Sequence, residues 1–204
     1  MRKIYWATTL FIRYLMKIFA PYEIINKERL DTLGGKIIAS NHVSNFDPPF
    51  IGSVLPLEIY FLAKSELFKN KIMGKILSTF NAIPIKRGKM DISAIKKCIS
   101  VLNNGHSMLI FPQGTRNGKV AKPGIGMIAL AVKKDIVPIR IENSTQHFSC
   151  LFRLKRVKII IGETIMLSSY DNLADNKEKY QLISNDILEK IQGLNSFESE
   201  HRAS

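Results

Sequence analysis

Cysteine is scarce in this sequence: of 204 residues only Cys98 and Cys150 carry a thiol, and neither belongs to a CxxC pair or a cysteine and histidine spacing. That argues against a disulfide framework or a zinc site and suits a reducing compartment. Cys98 lies on the apolar side of a periodic segment and reads as core, whereas Cys150 has no pattern around it to place it. Acidic residues are also few. Seventeen Asp and Glu against 30 Lys and Arg leave a formal charge of +13, so an anionic partner is expected: nucleic acid, phospholipid headgroups or an acidic carrier. Missing, too, is any apolar run of the about 18 residues needed to span a bilayer. No internal repeat, low-complexity tract or interdomain linker interrupts the chain. With 46% hydrophobic residues, it is long enough for one well-buried core.

The nearest approach to a long apolar run is at the start, Met1 to Ala20, and Arg13 and Lys17 break it. On a helical projection Arg2, Arg13 and Lys17 share a stripe while Trp6, Leu10, Phe11 and Tyr14 cover the rest, the pattern of an interfacial helix on an anionic leaflet. No A-x-A site follows, so a signal peptide is not expected. The same periodicity also suits a helix packed on the domain's own core.

The most informative stretch is Asn41-His42-Val43-Ser44-Asn45-Phe46-Asp47-Pro48-Pro49. On a helix, His42 and Asp47 would be roughly 140° apart, so they meet only if the chain turns between them. A turn is what the surroundings predict. Lys36 to Ser40 reads as a strand, and Pro48-Pro49 keeps Asp47 out of helical geometry while suiting the first turn of a helix. An imidazole is a proton acceptor near neutrality, and a carboxylate on its other nitrogen would fix the tautomer and stabilise the imidazolium. The alternative is that Asp47 simply caps the following helix and His42 is a polar loop residue.

Helices are expected over 48–55, 71–80 with an apolar side at Ile72, Ile76 and Phe80, and from Asp91 to Gly105 with a stripe at Ile92, Ile95, Ile99 and Leu102. Two more follow at 125–134 and 176–194, the latter with Tyr180, Ile183, Ile187 and Ile191 inward. Strands are expected at 59–63, 82–85, 107–111, 136–141 and 157–161. The alternation predicts an α/β fold, a mainly parallel central sheet flanked by helices. The chain then divides into an N-terminal membrane-associating helical segment, 1–30, an α/β domain, 31–194, and a mobile tail, 195–204.

Ligands of open α/β sheets collect at the carboxyl ends of strands. Three loops there carry chemistry: His42 with Asp47, Lys86-Arg87, and Gln113-Gly114-Thr115-Arg116. Arginines fork onto phosphate oxygens and glycines admit a ligand close to the backbone. A base beside a cationic clamp suits deprotonation of a hydroxyl on a phosphorylated molecule. Two other matches are set aside. Gly124 to Ala129 fits GxGxxA but follows a polar loop instead of a strand, and Gly105-His106-Ser107 lacks the second glycine of a nucleophile elbow. Ser44 reads as a loop hydrogen-bonder.

Asn41-His42 with Asp47, Ala82-Ile83-Pro84-Ile85-Lys86-Arg87-Gly88, Phe111-Pro112-Gln113-Gly114-Thr115-Arg116 and Val137-Pro138-Ile139 together resemble the four ordered blocks of the 1-acylglycerol-3-phosphate O-acyltransferase family. The likeness runs from about Lys36 to Ile165. It implies a glycerolipid acyltransferase fold, His42 as the base that activates a glycerol hydroxyl, and Asp47 as its orienter. It also implies a substrate site of Lys86, Arg87, Gln113, Gly114, Thr115 and Arg116, with the two arginines on the phosphate. The third block usually has glutamate where this chain has Gln113, which leaves open any role that requires a charge there. On this resemblance the expected reaction is acyl transfer from acyl carrier protein or coenzyme A thioester to a lysophospholipid, giving phosphatidic acid, with no metal or other cofactor. It would take place at an anionic membrane surface, on the cytoplasmic face of the cell membrane, with the enzyme peripheral or monotopic. The alternatives are another lyso-lipid acceptor, such as a lyso-ornithine lipid, or a nonenzymatic basic module. Nucleic acid is not the expected partner, because the aromatics cluster in the N-terminal helix and the apolar strands instead of among the cations.

Overall fold

The computed structural model describes residues 2–86, 88, 91–116, 118–146, 150, 152, 154–172 and 176–195. Seven strands form one sheet: β1 (Tyr22–Ile25), β2 (Ile37–Ser40), β3 (Ile59–Lys64), β4 (Ala82–Ile85), β5 (Ser107–Ile110), β6 (Ile136–Glu142) and β7 (Val157–Ile161). Their spatial order is β1-β7-β6-β2-β5-β3-β4. Every pair is parallel except β6 with β7. This is the mainly parallel α/β sheet that the alternating pattern predicts.

Period-two alternation sorts the strand residues onto two faces. Ile38, Phe61, Leu109, Val137 and Ile139 point to one cluster, where they meet Met16, Phe50, Ile51 and Val54. Those four belong to α1 (Arg2–Phe19) and α2 (Asp47–Val54), and α3 (Lys71–Thr79) adds the partly buried Leu77 on the same side. Ile37, Ala39, Met108, Ile110 and Ile136 point the other way, onto α4 (Ile92–Asn103), α5 (Gly124–Val132) and α6 (Lys177–Gly193). The result is a three-layer sandwich with α1 to α3 on one face and α4 to α6 on the other.

Several expectations change. Segment 1–30 is not helical throughout: α1 ends at Phe19, a 3-10 helix, Lys27–Leu33, follows later, and between them Tyr22 to Ile25 form an edge strand registered on Val157 to Ile160. Four residues are too few to show a period, and the partner is 135 positions away. α4 is rotated from its expected stripe: Ala94, Cys98 and Leu102 are its buried residues, and Ile92 is exposed. Cys98 is core as expected, and burial pushes its thiol up to about 12. Cys150 also lies in the core, its Sγ 3.7 Å from the Asn143 carbonyl. The GxGxxA match has a packing explanation. A Cβ on Gly126 would stand 2.3 Å from the Tyr180 carbonyl oxygen, so the glycine lets α5 approach α6. The expected tail from 195 lies, beyond Asn195, outside the described residues.

One side of the N-terminal helix packs on the domain's own core. Tyr5, Thr9 and Met16 are buried. Arg13 Nε donates to the Ser53 carbonyl at 2.8 Å, and the Tyr5 hydroxyl accepts from the Ile59 amide at 3.2 Å. The opposite side, with Ile4, Phe11, Tyr14 and Ile18, is exposed. Among the described residues, no helix is long and apolar enough to cross a membrane.

Candidate active site

The site is assembled at the carboxyl ends of three adjacent strands, β6, β2 and β5. β2 ends at Ser40, and the chain turns through 41–46 into α2. Asp47 is the first residue of that helix and is fully buried, 0% exposed. It does not cap the helix. Pro48 and Pro49 have no N–H to offer, and the Phe50 amide is taken by the Phe46 carbonyl at 2.9 Å. The carboxylate therefore turns back along the chain. Its Oδ2 accepts from the amides of Val43 at 2.8 Å and Ser44 at 2.7 Å and lies 3.0 Å from His42 Nδ1. Its Oδ1 accepts from the Ser144 hydroxyl at 2.9 Å.

A carboxylate with this many donors is held as an acceptor, so the shared proton belongs on His42 Nδ1. Nε2 is then the nitrogen left to take a proton from a substrate. The imidazole is fixed on a second side by Phe111, stacked with ring centroids 4.2 Å apart and planes at 26°. Asn41 restrains the loop itself. Its side chain donates to the Ile141 carbonyl at 2.9 Å and accepts from the Ile141 amide at 2.7 Å, tying the end of β2 to β6. Ser44 is a loop hydrogen-bonder, as expected: its hydroxyl accepts from the Phe46 amide at 3.2 Å.

Gln113 joins this loop to the one after β5. Its Oε1 accepts from the His42 amide at 3.3 Å and its Nε2 donates to the Gly118 carbonyl at 2.6 Å. Buried and engaged at both ends, it serves the protein's own backbone, where the sequence pattern suggested contact with a ligand. Glutamate would set an oxygen against the Gly118 carbonyl; the amide replaces that repulsion with a hydrogen bond. The remainder of the loop is open. Thr115 and Arg116 are exposed, and Gly114 has φ +65. The Lys122 side chain lies over Gly114: a Cβ there would be 3.0 Å from Lys122 Cδ and 3.5 Å from Nζ. Lys122 is thus a further cation beside the site.

The Lys86 loop stands apart. β4 is three places from β2 in the sheet, about 14 Å at the usual strand spacing, and the Lys86 side chain is exposed. Its amide donates to Asp91 at 2.9 Å. With Ser93 Oγ and the Ala94 amide, that bond holds the Asp91 carboxyl down to about 2. Arg87 lies outside the described residues. Of the site residues, sequence reasoning missed Ser144 and Lys122. Ser144 is 97 positions from Asp47 with no spacing to betray it, whereas Lys122 sat in a visibly basic loop.

The acyltransferase family model matches residues 22–142, which contain His42, Asp47 and the glycine loop. The chain belongs to the 1-acyl-sn-glycerol-3-phosphate acyltransferase family. It is 30% identical over 186 residues to the 1-acyl-sn-glycerol-3-phosphate acyltransferase of Bacillus subtilis, covering 90% of this chain and 92% of that one. It is 31% identical over 160 residues to the enzyme of that name from Streptococcus pneumoniae, covering 78% of this chain and 60% of that one. The crystal structure of the 1-acyl-sn-glycerophosphate acyltransferase of Thermotoga maritima shares the fold, with a TM-score of 0.65 at 22% identity over 96% of this chain and 80% of that one. The protein is therefore an O-acyltransferase of the 1-acylglycerol-3-phosphate type.

Proposed function

We propose that this acyltransferase moves a fatty acyl group from a thioester, carried by acyl carrier protein or coenzyme A, to the sn-2 hydroxyl of 1-acylglycerol-3-phosphate, giving phosphatidic acid. The observation that carries the reading is the His42 and Asp47 pair, with the carboxylate buried and fully donated to and Nδ1 committed at 3.0 Å. The hydroxyl proton passes to His42 Nε2 as its oxygen attacks the thioester carbonyl. Asp47 stabilises the imidazolium that results. The tetrahedral intermediate collapses with cleavage of the C–S bond, and the imidazolium returns the proton to the departing thiolate. The thioester is already activated, so no acyl-enzyme is required.

The acceptor's phosphate is assigned to the cations of the loop after β5. That strand neighbours β2, and one strand spacing, about 4.8 Å, is a better match to the short reach between a glycerol hydroxyl and its phosphate than the about 14 Å to β4. Arg116 is the primary contact, with Lys122 beside it, and Lys86 stands farther out. The exposed apolar side of α1 rests on the anionic cytoplasmic leaflet, so the enzyme is peripheral or monotopic and meets its lipid acceptor in the plane of the membrane. A lyso-ornithine acceptor would leave these cations without a phosphate.

The test pairs each donor, acyl carrier protein or coenzyme A thioester, with lysophosphatidic acid and with lyso-ornithine lipid. Phosphatidic acid is the expected product, and His42→Ala should lower kcat by about 10²–10⁴-fold. Faster turnover of the phosphate-free acceptor would overturn the substrate assignment, and a folded His42→Ala enzyme with near-normal kcat would overturn the base.

A further inference from the structure

We propose that α3 is a second membrane-contacting element, which seats Ile72, Ile76 and Met73 in an anionic leaflet and holds the active-site end of the sheet against it. The proposal rests on the reading of this enzyme as one that works at a membrane surface, and extends it to a helix that the N-terminal segment does not include.

α3 is a helix whose apolar arc is wider than the surface it packs on. Five apolar side chains, Ile72, Met73, Ile76, Leu77 and Phe80, cover roughly 140° of its projection. Only Leu77 and Phe80 turn toward the core. Ile72 is 75% exposed, Ile76 46% and Met73 42%, and no residue between Lys71 and Thr79 is buried. Its conformation is nevertheless well determined. Asn70 Oδ1 accepts from the amides of Ile72 and Met73, each at 3.0 Å, and a Cβ on Gly74 would lie 3.1 Å from the Phe68 carbonyl, so the helix is pressed onto the turn before it.

The charge beside this arc selects the occupant. Lys71 and Lys75 border Ile72 and Ile76 on the side of the projection away from Leu77 and Phe80, Lys64 and Lys69 are exposed just upstream, and the single carboxylate from Lys64 to Thr79 is the exposed Glu66. Lysines bordering a narrow isoleucine stripe suit the boundary between headgroups and acyl chains, where the cations meet lipid phosphates while the apolar side chains enter.

Topology then gives the contact a use. α3 follows β3, which is parallel to β2 through β5, so its first turn, with Lys71, Ile72 and Met73, stands at the same end of the sheet as His42. It belongs to the α1 side of the sandwich and touches α1. A leaflet held by both helices would deliver a lysolipid headgroup to the catalytic end with the acyl chain still in the membrane.

Tryptophan fluorescence tests this, because Trp6 is the single tryptophan of the chain. In a Trp6→Phe background, Ile72→Trp or Ile76→Trp reports on α3, Phe11→Trp on α1, and Leu182→Trp on the opposite layer. With vesicles of phosphatidylglycerol and phosphatidylcholine, the α3 reporters should shift to the blue and be quenched by brominated acyl chains, and Leu182→Trp should not. Ile72→Ser with Ile76→Ser should weaken vesicle binding about tenfold or more, since two branched side chains no longer enter the leaflet. A response at Phe11→Trp with none at either α3 position would overturn the proposal and leave the N-terminal contact standing. No response at any position, with no co-sedimentation, would overturn both. A blue shift at α3 that depends on protein concentration without vesicles would assign the face to a second copy of the chain instead.

Discussion

The loop after β2 and the loop after β5 are neighbours in the sheet but are held in different ways. In the first, every polar side chain that the mechanism needs is buried and hydrogen bonded: Asp47 to four donors, and His42 between Asp47 and Phe111. In the second, the backbone is tied down by Gln113 while the cations, Arg116 and Lys122, extend into solvent. On the proposed function, the contrast separates two tasks. Proton transfer tolerates little misplacement, so the base is oriented before any ligand arrives. A phosphate is bound by charge-assisted contacts that form on arrival, and long cationic side chains can adjust to it.

The sharpest way to break this division is at Asp47. Asp47→Asn can keep the fold of the loop, with its carbonyl oxygen accepting from Val43, Ser44 and His42 and its amide donating to a rotated Ser144 hydroxyl. It removes only the negative charge, and kcat should fall by about 10²–10⁴-fold at little-changed KM. A variant that instead loses affinity with kcat intact would move Asp47 from the chemistry to the binding site. Steady-state kinetics on the folded variant decide between the two.

Arg116→Ala should act on the other loop, raising KM for a phosphate-bearing acceptor by about 10–100-fold, the scale of one hydrogen bond between charged groups. The same substitution should leave an acceptor without phosphate unaffected. Equal losses on both acceptors would mean that the loop, not the headgroup, was damaged.

Ser144→Ala sharpens the comparison from within the catalytic loop. It removes one of the donors to Asp47 while leaving the two backbone amides and His42, so kcat should fall by only about three- to tenfold. Ser144→Thr should restore most of it by returning the hydroxyl. If Ser144→Ala changed KM for the lysolipid and not kcat, the hydroxyl would belong to the acceptor site.

The smallest effect is expected at Asp91. Its carboxyl is held at about 2 chiefly by the Lys86 amide, then by Ser93 and Ala94, so the bond contributes stability that is present above the ordinary value of 3.8 and is lost as pH falls through about 2. The Tm difference between the native protein and Asp91→Ala should be constant from neutral pH to about pH 4 and shrink below it. A difference that persists unchanged at pH 2 would show that Asp91 holds these donors without its charge.

Much of the catalytic loop is legible from one short stretch. Pro48-Pro49 does not keep Asp47 out of the helix, which opens at Asp47 because proline suits a first turn, but it removes two donors that would otherwise draw Asp47 into capping, so the carboxylate is left to turn back to His42. Gln113 was legible as a member of the site but not in its role, because its two partners, the His42 amide and the Gly118 carbonyl, are backbone groups with no sequence signature. The same limit hid Ser144, and the pairing of Asn41 with Ile141 across two strands.

Helix faces divide in the same way. Periodicity alone placed α1, α3 and α4 as amphipathic helices, because apolar spacing is a property of neighbouring residues. It did not decide what each apolar face would meet. α4 turned Ala94, Cys98 and Leu102 inward and left Ile92 in solvent, α3 left Ile72 and Ile76 uncovered, and α1 exposed one apolar side while burying another. The sequence by itself determined the strands from β2 to β7, the helices between them and the turn that brings His42 to Asp47, since each is specified by contacts within a few residues. Only the tertiary structure decided the edge strand β1, the donor at Ser144 and the sides of the helices left open. Those depend on which surfaces, distant in the chain, have room to pack against one another.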